Sequence, residues 1–249
     1  MTPSSQQQRE QTRPRISTYD TSFAKIIVGS KERCFTVHLD LLVYHSPFFR
    51  AALTGSFKEA DENLVTLSDT AWNIFELFVH WLYFDRLPTE VDSPELLALY
   101  CDDDNEYFQC KVLVCLYVFC DKYDISRLKR LCLNTLFQNI TDKSELPSFA
   151  YIGYAFANLG ENDPLCHFLV DTFCYWSGAD CWSLDDVQEL PHRFLTKVLT
   201  RYTEYTHGGR DLVGSPELCN YHDHATSQER KECKKKRGED EDEDEDESD

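Results

Sequence analysis

Four residues near the C-terminal end have the greatest capacity for chemistry: Cys219, His222, His224 and Cys233, in the pattern Cys-x2-His-x-His-x8-Cys. Thiolate and imidazole are borderline-soft donors, and two of each would complete a tetrahedral zinc shell. In a segment with little to bury, such a metal would supply folding energy that a core supplies elsewhere. The spacing matches no standard zinc finger, and a polar tail with scattered Cys and His explains the same letters. The expectation is therefore a chain without a cofactor, with zinc in this tail as the one exception the residue types permit. Overlapping the set, Arg230, Lys231, Lys234, Lys235, Lys236 and Arg237 form a basic cluster of the kind nuclear import receptors read. An acidic run, EDEDEDEDESD, follows at 239–249, and self-neutralising solvated chain would account for both.

Enzymatic motifs are missing from the sequence. It contains no G-x-S-x-G, Walker A, Rossmann glycine pattern or H-E-x-x-H, and Gly29-Ser30-Lys31 lacks the upstream glycine of a phosphate loop. Cys and His are plentiful, but no local spacing pairs a thiol nucleophile with a base. His38 reads as a core or helix-start residue. A protein without catalytic activity is expected.

Composition narrows the class further. The net charge of -19 stays acidic even without the 239–249 run, so phosphate backbones would be repelled and nucleic acid is disfavoured as a partner class. Eleven cysteines, odd in number and partly embedded in apolar helical stretches, do not form a disulfide framework, which points to a reducing compartment, cytoplasmic and/or nuclear. The first residues, MTPSSQQQREQTRPR, have no apolar core of a secretory signal. The longest apolar run, Val112 to Cys120, is about half of what a membrane span needs, so no membrane association is expected.

The elements that must position these residues can be read in order. FAKIIVGSKERCFTVH reads as a β-hairpin turning at Gly29. LDLLVYHSPFFRAAL then reads as two short helices parted at Ser46-Pro47, with Pro at the first position of the second. GSFKEADEN reads as a polar loop, Leu64 to Leu67 as a strand, and Trp72 to Tyr83 as a core helix capped by Ser68 or Asp69 and stopped by Arg86-Leu87-Pro88. Two more helices follow, one ending near Tyr123 and one with an amphipathic face from Ile125 to Leu136. Three apolar helical segments then run between 141 and 206, with starts at Asp163-Pro164 and Leu190-Pro191 and stops at Gly160 and Gly178. The implied organisation is a disordered arm at 1–19, an α+β domain at 20–137, a small helical annex at 138–206 and a disordered tail at 207–249.

In order and spacing, these elements resemble the BTB/POZ family, especially short fungal members without a kelch, MATH or zinc-finger companion. The resemblance rests on Ile26-Ile27-Val28-Gly29, Phe35-Thr36-Val37-His38, His45-Ser46-Pro47-Phe48-Phe49-Arg50, Gly55-Ser56-Phe57-Lys58-Glu59, Val65-Thr66-Leu67, Phe75-Glu76-Leu77-Phe78 and Asp121-Lys122-Tyr123. It implies a short mixed sheet with surrounding helices, protein partners, and a homodimer in which Ile16 to Tyr19 would supply an N-terminal strand. Phe57-Lys58-Glu59 resembles the hydrophobic-x-acidic motif with which adaptors of this family engage a cullin scaffold, and Tyr123 resembles an aromatic on the same surface. Ordinary loop chemistry is the alternative for all three. Ala24 and Leu39 stand where many members carry charge, which removes the charged groove that some use for co-repressors. The implied function is an adaptor or scaffold, either a substrate adaptor for a cullin ubiquitin ligase or a nuclear regulatory or oligomerisation scaffold.

Overall fold

The hairpin forms where Gly29 can turn the chain. Its φ of +72° lies in the left-handed region, and a Cβ there would sit 3.1 Å from the Thr70 carbonyl oxygen. The computed structural model describes residues 13–15, 22–56, 58–101, 109–143, 148–176, 187–207, 215–222, 224 and 227–235. Strand β1 (Phe23–Val28) pairs antiparallel with β2 (Arg33–His38) and parallel with β3 (Leu64–Leu67), giving a three-stranded mixed sheet of order β2-β1-β3. Along β1, Ala24, Ile26 and Val28 point inward and alternate with more exposed neighbours, the period of two that one covered face requires.

Between β2 and β3 run α1 (Leu39–His45), α2 (Pro47–Thr54) and α3 (Lys58–Glu62). The break at Ser46-Pro47 lies where expected: Ser46 caps α2 by accepting from the Phe49 amide at 3.1 Å, and Pro47 occupies the first helical position. Helix α3 replaces part of the expected loop. KEADE has no apolar face and buries nothing, so only its Lys58–Glu62 pair at 3.4 Å marks it as helical.

Helix α4 (Trp72–Phe84) is buried on most of its surface. Its cap is Ala71, with no side-chain bond, in place of the expected Ser68 or Asp69. The turn before it is closed by the Thr70 amide on the Leu67 carbonyl, and Asp69 pairs with Lys122 instead. The helix ends at Asp85, in the left-handed conformation with φ 59°, ahead of the expected stop at Arg86-Leu87-Pro88. The short helix α5 (Pro94–Leu97) follows, then α6 (Gln109–Lys122) and α7 (Ser126–Lys143). Helix α6 packs on α4 and buries Leu113, Leu116, Tyr117 and Phe119.

Two compact units divide between Cys132 and Leu133, inside α7. In the second unit, α8 (Phe149–Asn158), α9 (Pro164–Trp176) and α10 (His192–His207) pack side by side. Phe194 lies edge-to-face with Phe156 and Phe173, both at 5.3 Å. These are the three helices expected of the annex.

Part of the expected tail departs from its reading as chain without structure. Leu218–Asn220 forms a single 3-10 turn in which Leu218, Cys219 and Tyr221 are buried, and α11 spans Ser227–Lys235. Burial there comes from Phe137 and Phe168, whose rings pack against Tyr221 and which are distant in sequence. Among the described residues, no helix is long and apolar enough to cross a membrane.

Candidate functional site

In the first unit, Ser46 is the hinge of the candidate surface. Fully buried, its hydroxyl accepts from the Phe49 amide and donates to the Tyr123 carbonyl at 2.6 Å, joining the start of α2 to the end of α6. Arg50 adds a second tie by donating to the Val43 carbonyl at 2.8 and 3.1 Å, which fixes α2 against α1.

Tyr123, expected on the surface, is only 3% exposed. Its ring packs on Phe48 at 4.9 Å, Phe119 at 4.7 Å and Phe49 at 5.9 Å, and its hydroxyl meets Thr70 Oγ1 at 3.3 Å. With its ring covered and its hydroxyl bonded, this tyrosine supports its neighbours and presents little surface of its own. Phe57 lies outside the described residues. Glu59 stands exposed in the first turn of α3, which packs against α2.

Phe48, not among the candidate residues read from the sequence, lies on the same surface. Its ring leans on Tyr123 and Phe49 yet stays 38% exposed. An aromatic held rigidly from below and open above is the usual form of an interface anchor. The SPFF spacing held a signal, because adjacent Phe residues in an eight-residue helix cannot both face its core. Beside this patch, Lys122 pairs with Asp69 and holds that carboxyl below its ordinary range.

A second aromatic group surrounds His38. Its Nδ1 lies 2.6 Å from Tyr83 Oη, and Phe23, 46% exposed, packs on its ring. Arg13 donates to the Leu82 and Tyr83 carbonyls at 2.8 and 3.1 Å, satisfying the open end of α4. Ala24 is fully buried, so its side of β1 presents no charge. Ile16 to Tyr19, expected as an N-terminal strand, lie outside the described residues.

The thiols of the two helical cores are held in an unreactive state. Burial and the neighbouring thiol of Cys132 push the Cys120 thiol well up, and burial pushes Cys174 up to about 12. Such thiols stay protonated at neutral pH. The described cysteines are all free.

In the second unit, the four expected metal ligands converge. One donor atom each from Cys219, His222, His224 and Cys233 lies within 4.8 Å of every other. Of the basic cluster, Arg230 and Lys231 are exposed on α11, Arg230 donates to Asn220 Oδ1 at 3.2 Å, and Lys234 approaches Glu217 at 3.5 Å. Lys235 closes the helix, and Lys236 and Arg237 lie outside the described residues.

Comparison with known proteins adds a family. Residues 18–140 match the model of the BTB/POZ domain. The chain is similar to BTB/POZ and MATH domain-containing protein 5 of Arabidopsis thaliana, 29% identical over 118 residues, covering 47% of this chain and 28% of that protein. It is similar also to Kelch repeat and BTB domain-containing protein 4, 31% identical over 78 residues of the Mus musculus protein, covering 31% of this chain and 14% of that one. The Homo sapiens protein of that name is 22% identical over 180 residues, 72% of this chain and 29% of its own length. The chain thus spans less than a third of the length of these relatives.

Proposed function

Because residues 18–140 are a BTB/POZ domain, a protein-interaction fold, we propose that this chain is an adaptor that holds protein partners together and performs no catalysis of its own. The carrying observation is Phe48, an open aromatic fixed in place by Ser46, Phe49 and Tyr123, with acidic α3 packed beside α2. A rigid aromatic anchor with a charged rim binds without ordering loops first, which lowers the entropic cost of association. The partner proposed for this surface is a cullin scaffold, with Phe57 and Glu59 as further contacts and Tyr123 as the support beneath Phe48. Its product would be proximity: a second protein held by the other unit is raised to a high effective concentration.

A cullin pull-down compares the full wild-type chain with Phe48→Ala and with the Phe57→Ala, Glu59→Ala pair. Recovery is expected to fall roughly tenfold for each, the loss of one or two anchor contacts. Equal recovery from all three would end the cullin reading.

A second reading is favoured by the exposed face of α11. Arg230 and Lys231, together with Lys234, would address the protein to the nucleus as a regulatory or oligomerisation scaffold. Loss of nuclear accumulation on changing these three to Ala, with cullin recovery unchanged, would distinguish it.

A further inference from the structure

We propose that Cys219, His222, His224 and Cys233 form a structural zinc site that clamps the basic helix α11 to the second unit. Zinc bonds of about 2.0–2.3 Å place tetrahedral donors roughly 3.3–3.8 Å apart. Cys233 Sγ and His222 Nε2 already stand 3.5 Å apart, and all four donors lie within 4.8 Å, so closure needs a shift of only about an ångström at the widest pair. The imidazoles of His222 and His224 meet edge-to-face, with centroids 4.4 Å apart and planes at 73°. Among the described residues, His224 Nε2 is buried without a hydrogen-bond partner. An unsatisfied buried nitrogen is costly, and a metal bond would remove that cost.

The two halves of the set are held very differently. Cys219 belongs to the buried 3-10 turn, and Tyr221 anchors that turn by donating to Asp171 Oδ2 at 2.8 Å and packing on Phe137 and Phe168. Cys233 belongs to α11, whose SQERKECKK contains no aliphatic or aromatic side chain. A nine-residue helix of that kind is marginal alone. Two of its ties among the described residues, Arg230 to Asn220 and Lys234 to Glu217, are solvent-exposed polar contacts that contribute little. Cys233 is therefore the point at which metal binding would be converted into order for this helix.

Donor chemistry selects the ion. Two thiolates and two imidazoles favour zinc over calcium or magnesium, which take oxygen. With four protein ligands no coordination position is left open, so the site is structural and activates no water.

The test uses the full chain, purified without a histidine tag under reducing conditions, with metal measured by plasma mass spectrometry. About one zinc per chain is expected, falling at least roughly fivefold in Cys233→Ser and in His224→Gln. Cys34→Ser, an exposed thiol of β2, should retain it. Cobalt exchanged into the wild-type chain should give the intense visible bands and thiolate charge transfer of a tetrahedral sulfur-nitrogen site, a readout that requires no variant to fold. Wild-type protein that holds no zinc after zinc is supplied, a weak octahedral cobalt spectrum, or full zinc retention in Cys233→Ser would each overturn the proposal.

Discussion

Two buried tyrosines, one in each unit, close comparable turns. Tyr123 ends α6 and Tyr221 succeeds the 3-10 turn; each is 3% exposed, each packs on phenylalanine rings, and each hydroxyl has a partner. The chain beyond each tyrosine differs. After Tyr123 it buries Ile125, Leu128 and Cys132, so α7 is held by its own apolar face. After Tyr221 come His222, His224 and a helix with nothing apolar to bury. The same kind of anchor thus leads in one case into a core and in the other into the four candidate ligands. Burial, with the Ser46 hydrogen bond, holds the first turn and the helix after it, whereas the helix after the second has no apolar side chain to bury.

The largest effect should come from removing the ring under Tyr123. Phe49 is fully buried and stacks on Phe78 at 6.1 Å and Tyr123 at 5.9 Å. Phe49→Ala should cost about 3–5 kcal/mol, the transfer loss plus the cavity left behind. Amide exchange should show the loss in residues 23–132 while α8 to α10 keep their protection. A loss below about 1 kcal/mol would mean that this turn is not held by its core.

Tyr221→Phe probes the other turn and should act more mildly. The phenol of Tyr221 and the guanidinium of Arg201 both donate to Asp171, Arg201 Nε at 2.5 Å. Removing one donor leaves the carboxylate paired and the ring packing intact, so about 1–2 kcal/mol should be lost, all in the second unit. Denaturant unfolding with exchange read separately for the two units measures it. A silent substitution would assign the anchor to Phe137 and Phe168 alone.

Much of the first unit is legible in the sequence because its signals are local. Gly29 marks a turn, Ser46-Pro47 marks a helix start, and alternation along FAKIIV marks a strand. The burial of Tyr123 is not legible, since it depends on Ser46 and Thr70, 77 and 53 residues away. Helix α3 escapes notice because a polar five-residue helix has no hydrophobic period. All four candidate ligands in the tail can be named from residue type, but their convergence depends on Phe137 and Phe168 drawing Tyr221 inward, which no spacing rule encodes. The gap between naming and placing is therefore widest where local propensity is weakest.

The smallest effect should be a pH dependence centred on the first unit. His45 lies edge-on to Trp81 at 4.7 Å, and burial, then the charges of Arg13 and Arg127, lower it from its ordinary 6.5 to about 4 against the opposing pull of Asp85. A histidine depressed in the folded state binds its proton more readily when unfolded. Its contribution is therefore complete above 6.5 and is lost as pH falls from 6.5 towards 4. Discounted for partial exposure, the effect is on the order of 1 kcal/mol. Melting curves between pH 7 and pH 4.5 should fall less steeply for His45→Phe than for wild type, with His80 and His167, which shift in the same direction, and the depressed carboxyls of Asp69, Asp92 and Glu95 contributing to the remaining slope. Running the series in the Cys233→Ser background separates this titration from protonation of the proposed zinc ligands. Parallel curves for wild type and His45→Phe would show that the helix junction at Ser46 tolerates a charged neighbour, and that the first unit's stability does not depend on keeping this imidazole neutral.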